Sequence, residues 1–219
     1  VVKVTIKFSI HKKLPLLKIG GVKIEFTKNY LALTSMFNFC PFARSVLSEC
    51  KQSAKWHAEG CVKNHVILVC ESALDYVNKY IHGNTEYKKI LLLAALFHDI
   101  GKGVTTFEKD GKWHAYGHEI EGEKFTRKLL WDEGWAFRES VCALVRLHME
   151  PLNWFNMKSG VLEKLAETQK LISKVAYVDG IAHMHITDLI RLKMWDVKGS
   201  KQEDEKSKSK EKSEFAEKK

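Results

Sequence analysis

The amino-acid sequence predicts an all-helical domain with a short β extension at its N-terminus. Three observations predict it. From about Leu31 onward apolar residues recur with helical period; the segment KKILLLAALFHDI is apolar over too wide an arc for a surface helix; and the three prolines, at 15, 41 and 151, leave every expected helix uninterrupted.

Residues 1–28 read as two or three short strands. VKVTIKFSI alternates with period two, and Gly20-Gly21 stands between LPLLKI and VKIEF as a hairpin turn would. The first expected helix runs from Val62 to Ile81, with Val66, Val69, Cys70, Ala73, Val77 and Tyr80 on one stripe. Glu86 to Ile100 forms the central buried helix, stopped by Gly101 and Gly103 as glycines stop a helix C-terminus. Further helices are expected over 117–131, 136–149, 161–179 and 182–196. After Trp195 the chain turns to GSKQEDEKSKSKEKSEFAEKK, too poor in apolar residues to build a core and expected to be disordered. The organisation is therefore a basic β extension (1–28), a helical domain (29–197) and a charged tail (198–219).

The 219 residues suffice for one substantial domain, and 45% hydrophobic content suits a globular chain. No apolar run is long enough for a transmembrane helix, so no membrane association is expected. The N-terminus lacks a signal peptide's continuous apolar stretch, and without an initiating Met the chain is compatible with a piece of something longer. Five cysteines, Cys40, Cys50, Cys61, Cys70 and Cys142, with no CxxC spacing, argue against a disulfide scaffold or a structural zinc cage. A reducing cytoplasm is the expected compartment. The net charge of +9 suggests nucleic acid, but residues 1–28 carry +6 and 198–219 carry +2, leaving +1 for 29–197. Any RNA contact by charge is thus expected through the N-terminal segment, not through the helical domain.

The histidines are placed more tellingly. His98 and Asp99 stand side by side at the end of the most apolar helix, where an ionisable pair is costly unless compensated. A divalent cation compensates it, since neutral imidazole and carboxylate both ligate Fe, Mn, Zn, Ni or Co. His65 opens the preceding helix, His118 begins the helix after GKWHAYG, His148 closes another, and Asp179 ends KLISKVAYVD. Each alone reads as a polar residue at a helix end; in a bundle, such positions can converge on one site.

These residues resemble the HD superfamily of metal-dependent phosphohydrolases, in which an early His, an HD doublet and a late Asp ligate metal. His65, His98, Asp99 and Asp179 match those elements in order, and His118 and His148 match the two intervening histidines of members with a binuclear site. The resemblance is closer still to the HD domain of bacterial CCA-adding enzymes and poly(A) polymerases. It is carried by Trp56-His57-Ala58-Glu59, His98 to Lys102, Gly117-His118-Glu119 and Leu144 to His148, over roughly residues 50–185. No nucleotidyltransferase domain is read ahead of it, so polymerisation is not implied.

The resemblance implies one or two divalent ions, Mn, Fe, Ni, Co, Zn or Mg, and hydrolysis of a phosphomonoester or cyclic phosphodiester of a nucleotide or RNA end. Asp99 is the natural bridge between two ions, because each carboxylate oxygen can bind one. Lys102 could pair with a phosphate oxygen, or be an exposed lysine at a helix C-terminus. His114 could protonate a leaving oxygen, although loop histidines are commonly just solvated. Arg146 could reach a phosphate from a groove wall, with surface placement the simpler expectation. His57 and Glu59 could orient ligands from behind. The alternatives are a non-catalytic HD fold that binds RNA or a partner, and an oxygenase using a di-iron site.

Overall fold

The computed structural model describes residues 16–19, 22–25, 47–52, 57–178, 181–182 and 185–200. Its body is helical: α1 (Val62–Tyr80), α2 (Thr85–Phe97), α3 (Lys102–Thr105), α4 (His118–Leu129), α5 (Trp135–Leu147), α6 (Glu150–Asn156), α7 (Val161–Ala176) and α8 (Ile186–Gly199). Three small antiparallel pairs accompany it: β1 (Leu16–Ile19) with β2 (Val22–Glu25), β3 (Phe107–Lys109) with β4 (Lys112–His114), and β5 (Tyr177–Val178) with β6 (Ile181–Ala182). Among the described residues no helix is long and apolar enough to cross a membrane.

The expected centre is the observed one. Every residue of α2 from Ile90 to Phe97 is buried, and α2 packs against α1, α5 and α8. Each such aliphatic side chain contributes about 1.5–3 kcal/mol by leaving water, so the helix that ends in His98-Asp99 is the most firmly held in the molecule. Its start is fixed by Asn84, whose side chain accepts a hydrogen bond from the Tyr87 amide at 2.9 Å. On α1, Val62, Val66, Val69, Ala73 and Val77 are buried as their spacing predicts, whereas Tyr80 is exposed at the helix's last residue.

Three expectations are refined. Gly101 does not end α2 by a left-handed turn: its φ is −70°. Its missing Cβ instead permits close packing, because a Cβ there would lie 2.0 Å from the His118 carbonyl oxygen and 2.6 Å from the Gly122 amide. The helix expected over 161–179 stops at Ala176, where Tyr177 and Val178 pair with Ala182 and Ile181. Two residues, Asp179 and Gly180, separate those strands, and Asp-Gly is a pair that favours tight hairpins over helix; both lie outside the described residues. The last helix begins later and runs further than expected, to Gly199. Its packing on α1 also needs a glycine, since a Cβ on Gly199 would lie 2.7 Å from Val69 Cγ2 and 3.0 Å from the Val69 amide. The Gly20-Gly21 expectation agrees with the register of β1 and β2, in which Ile19 partners Val22. Residues 201–219 and the segment 26–46 lie outside the described residues.

Candidate metal centre

The chain arranges four histidines and a carboxylate at helix ends around α2. His65 lies in the first turn of α1, His98 caps the C-terminus of α2, His118 is the first residue of α4 and His148 caps α5. Gly117 precedes α4 with φ +73°, a conformation that favours glycine, and lets the chain turn sharply from β4 into the helix. All four imidazoles and Asp99 are buried.

Their atoms converge. Asp99 Oδ2 lies 3.6 Å from His65 Nε2 and 3.4 Å from His98 Nε2; Asp99 Oδ1 lies 3.4 Å from His118 Nε2 and 3.8 Å from His148 Nε2. Each oxygen therefore faces its own pair of histidines. Within the pairs, His65 and His98 present Nε2 to Nε2 at 3.4 Å, and His118 and His148 do so at 3.1 Å.

The far side of each ring decides what those nitrogens carry. Nδ1 of His98, His118 and His148 donates to the backbone carbonyls of Ala95, Ala115 and Val145 at 2.9, 2.7 and 2.7 Å. A neutral ring that donates at Nδ1 presents a lone pair at Nε2. Two buried lone pairs facing each other across 3.1 Å, with a carboxylate oxygen beside them, call for a positive charge between them. Two nitrogens bound to one ion at about 2.0–2.1 Å stand about 3.0–3.4 Å apart, which is the spacing of both pairs. Asp99 Oδ2 is moreover buried, with the Lys102 ammonium at 2.7 Å and the Nε2 atoms of His98 and His65 at 3.4 and 3.6 Å around it. The donor set thus fits divalent metal, with the three backbone carbonyls orienting the rings from behind.

His65 differs. Its Nδ1 lies 3.1 Å from Glu59 Oε1, and its Nε2 lies 2.9 Å from Asp196 Oδ1. Burial alone would lower its pKa, but Asp196, Glu59 and Asp99 outweigh it and raise the ring to about 9. The same anionic surroundings would draw a cation, which displaces that proton when it binds. His148 moves oppositely: burial, then His98 and His118, push it down to about 3, so its ring is neutral at any physiological pH. Burial would raise Asp99, yet Lys102, His98 and His118 hold it well below the usual carboxylate range.

Asp196 is the residue that sequence reading missed. It lies in α8, buried beside His65, whereas Asp179 lies outside the described residues. A signal was available: Leu189, Leu192, Trp195 and Asp196 share the buried side of α8 with Asp188, and a buried carboxylate needs a partner. Lys193 holds the second oxygen of Asp196 at 2.6 Å.

Of the remaining candidates, Lys102 sits at the centre, its Nζ 2.7 Å from Asp99 Oδ2 and 3.1 Å from Gln52 Oε1. His57 is bonded to Glu59 at 2.8 Å, so the two form one outer layer behind His65, while Trp56 lies outside the described residues. His114 lines an adjoining cleft of about 590 Å³ together with Lys102, and its Nδ1 lies 3.0 Å from the Tyr116 hydroxyl. Arg146 is not brought to this cleft; its guanidinium points at Glu119 and Glu123, at 3.7 and 3.6 Å.

A helical bundle that gathers two histidine pairs on one shared aspartate is suited to holding divalent metal. The HD domain family matches residues 62–192, and the chain belongs to that family, whose superfamily comprises metal-dependent phosphohydrolases. Two curated relatives, each described as a multifunctional CCA protein, come from Actinobacillus pleuropneumoniae serotype 5b (strain L20) and serotype 7 (strain AP76). Each is 48% identical over 65 residues, covering 30% of this chain and 14% of the relative. No solved structure matches.

The choice between the two aspartates is testable. Loss of a carboxylate from the shell of the His65–His98 pair, by Asp179→Asn or Asp196→Asn, is expected to weaken metal there by about 10–100-fold. Metal titration of both variants checks this, and a variant that binds metal as the parent does would remove its aspartate from the shell.

Proposed function

We propose that the chain hydrolyses a phosphomonoester or cyclic phosphodiester of a nucleotide or an RNA end, using one divalent ion at each oxygen of Asp99. The supporting observation is that Asp99 presents its two oxygens to two separate histidine pairs. His65 and His98, with Asp179 or Asp196, would hold one ion, and His118 and His148 the other. When bound, such ions polarise a phosphoryl oxygen and lower the pKa of water, so that attack proceeds at neutral pH.

The other groups follow from the chain itself. Lys102 is paired to Asp99 where it also lines the cleft; with the carboxylate charge taken up by cations, its ammonium would turn to a phosphate oxygen. His114 would serve as the acid. With both ring nitrogens protonated, Nδ1–H would donate to the Tyr116 hydroxyl oxygen, and a leaving oxygen would take the proton from Nε2, leaving a neutral imidazole. Burial of His65, His98 and His148 excludes water from all but the cleft side. Likeness to the CCA proteins supports nucleotide or RNA chemistry, and the lysines of residues 1–28 would add phosphate contact. Free Cys50, Cys61, Cys70 and Cys142 suit a reducing cytoplasm.

Metal analysis of the purified protein, paired with a panel of cyclic nucleotides, nucleoside monophosphates and phosphorylated RNA ends, tests the proposal. His118→Ala and His148→Ala should each reduce the metal content from two ions per chain to one. Unchanged content would mean a single-ion centre, and no turnover of any panel member with any of the metals would overturn the hydrolase reading.

A further inference from the structure

Beside the metal centre, the β3–β4 hairpin carries a group of aromatic rings, of which the hydrolytic chemistry uses only the His114 imidazole and the Tyr116 hydroxyl. Phe107 and His114 are cross-strand partners with ring centroids 5.7 Å apart, and His114 stacks on Tyr116 at 5.2 Å with 26° between the planes. Trp113, paired with Glu108 on the opposite face of β4, lines the same cleft as Tyr116, with Lys51 Nζ 5.4 Å from its ring centroid. Solvent contact of these rings is unusual for their size: Tyr116 is 71% exposed and Phe107 42%. Apolar rings left in water at the mouth of a cleft mark a place where something flat is meant to lie.

The hairpin is also a stiff mount. Its turn uses Asp110 and Gly111 at φ +52° and +68°, both in the left-handed region, and Gly117 anchors its far end directly to α4 and His118. Tyr116 and Trp113 share the cleft with Lys102, whose ammonium reaches Asp99. A ligand with its phosphate at the metal centre would therefore extend its other end across these rings.

We infer that Trp113 and Tyr116 form a nucleobase-stacking platform that holds the base of the substrate while its phosphate lies at Asp99. The inference rests on the hydrolase reading for the direction in which the ligand lies. It adds that the chain selects for a base and not merely for a phosphoester. Stacking suits this task because every base has a π-face, so the platform would favour nucleotides over sugar phosphates without choosing strongly among bases. Lys51, held against Trp113, would add cation–π support and a phosphate contact.

The test compares adenosine with ribose by calorimetry on chelated protein, where turnover plays no part, and adenosine monophosphate with ribose phosphate by KM on the metal-loaded protein. The base-bearing ligand is expected to bind about tenfold or more tighter in each pair. That preference should vanish in Trp113→Leu and Tyr116→Leu and persist in Tyr116→Phe, which keeps the ring and drops the hydroxyl. Helical content by circular dichroism should be the same in all four proteins, which shows that the variants are folded. A short oligoribonucleotide that binds more tightly still would place the platform under an RNA end, and one that binds no better than the nucleotide would place it under a free nucleotide. Equal binding of nucleotide and sugar phosphate, or a preference untouched by both leucine variants, would overturn the platform while leaving the hydrolase intact. A base preference in a protein that hydrolyses nothing would instead sink the hydrolase reading and keep the platform.

Discussion

Asp99→Asn should empty both halves of the centre at once and lower phosphoester hydrolysis by about a thousandfold or more, the scale set by losing several kcal/mol of transition-state stabilisation. The substitution keeps shape and removes charge. Asn offers a single oxygen, so one histidine pair would face an amide nitrogen where an anionic ligand stood. Lys102 would lose the carboxylate that lies 2.7 Å from its Nζ, but its side chain is partly exposed and can turn to water. Helical content by circular dichroism should therefore change little while metal per chain falls toward zero. Retained metal with retained turnover would refute the role of Asp99.

Gly101→Ala should produce the largest effect of any change that touches no ligand. Its Cβ would lie 2.0 Å from the His118 carbonyl oxygen and 2.6 Å from the Gly122 amide, both backbone atoms that no rotamer change can move. Helix α4 must shift as a body. Overpacking of this kind costs about 1–3 kcal/mol, equivalent to a fall of roughly 2–12 °C in Tm for a chain of this size. Because α4 carries His118, the His118–His148 pair should lose its ion, while the His65–His98 pair, built on α1 and α2, keeps its own. Thermal melting with metal analysis of the same preparation checks both halves of the expectation. A variant that melts normally and still holds two ions would show that the contact at Gly101 is not restrictive.

Most of the helices and five of the candidate ligands were legible because they rest on local signals. The unbroken apolar run of α2 announces burial whatever surrounds it, and a histidine at the end of such a run needs a partner. His65, His98, Asp99, His118 and His148 all carry that signature, and they meet. Asp196 does not, because it lies within a helix whose partner face is set by α1, more than a hundred residues earlier in the chain. Arg146 shows the converse. Its spacing from His148 admits a groove wall, but two glutamates on α4, Glu119 and Glu123, lie nearer and of opposite charge. Gly101 was read correctly as a break and wrongly as to its cause, since a close approach between α4 and the turn after α2 exists only in three dimensions. The aromatic hairpin was likewise invisible as a site, for its strands are three residues each and their pairing alone brings the rings together.

The candidate centre gathers side chains from α1 near the start of the helical sequence and from α8 near its end, joined where Gly199 lets α8 close on Val69. Such a cluster does not exist in any short stretch of chain. A zinc finger gathers its ligands locally and folds around its ion, whereas here the loop from residue 65 to residue 196 must close first, with the entropy cost that long loops carry. Metal is thus a late arrival that rewards completed assembly: it should slow unfolding far more than it speeds folding, and a chain truncated before α8 should synthesise most of the helices yet never acquire a working centre.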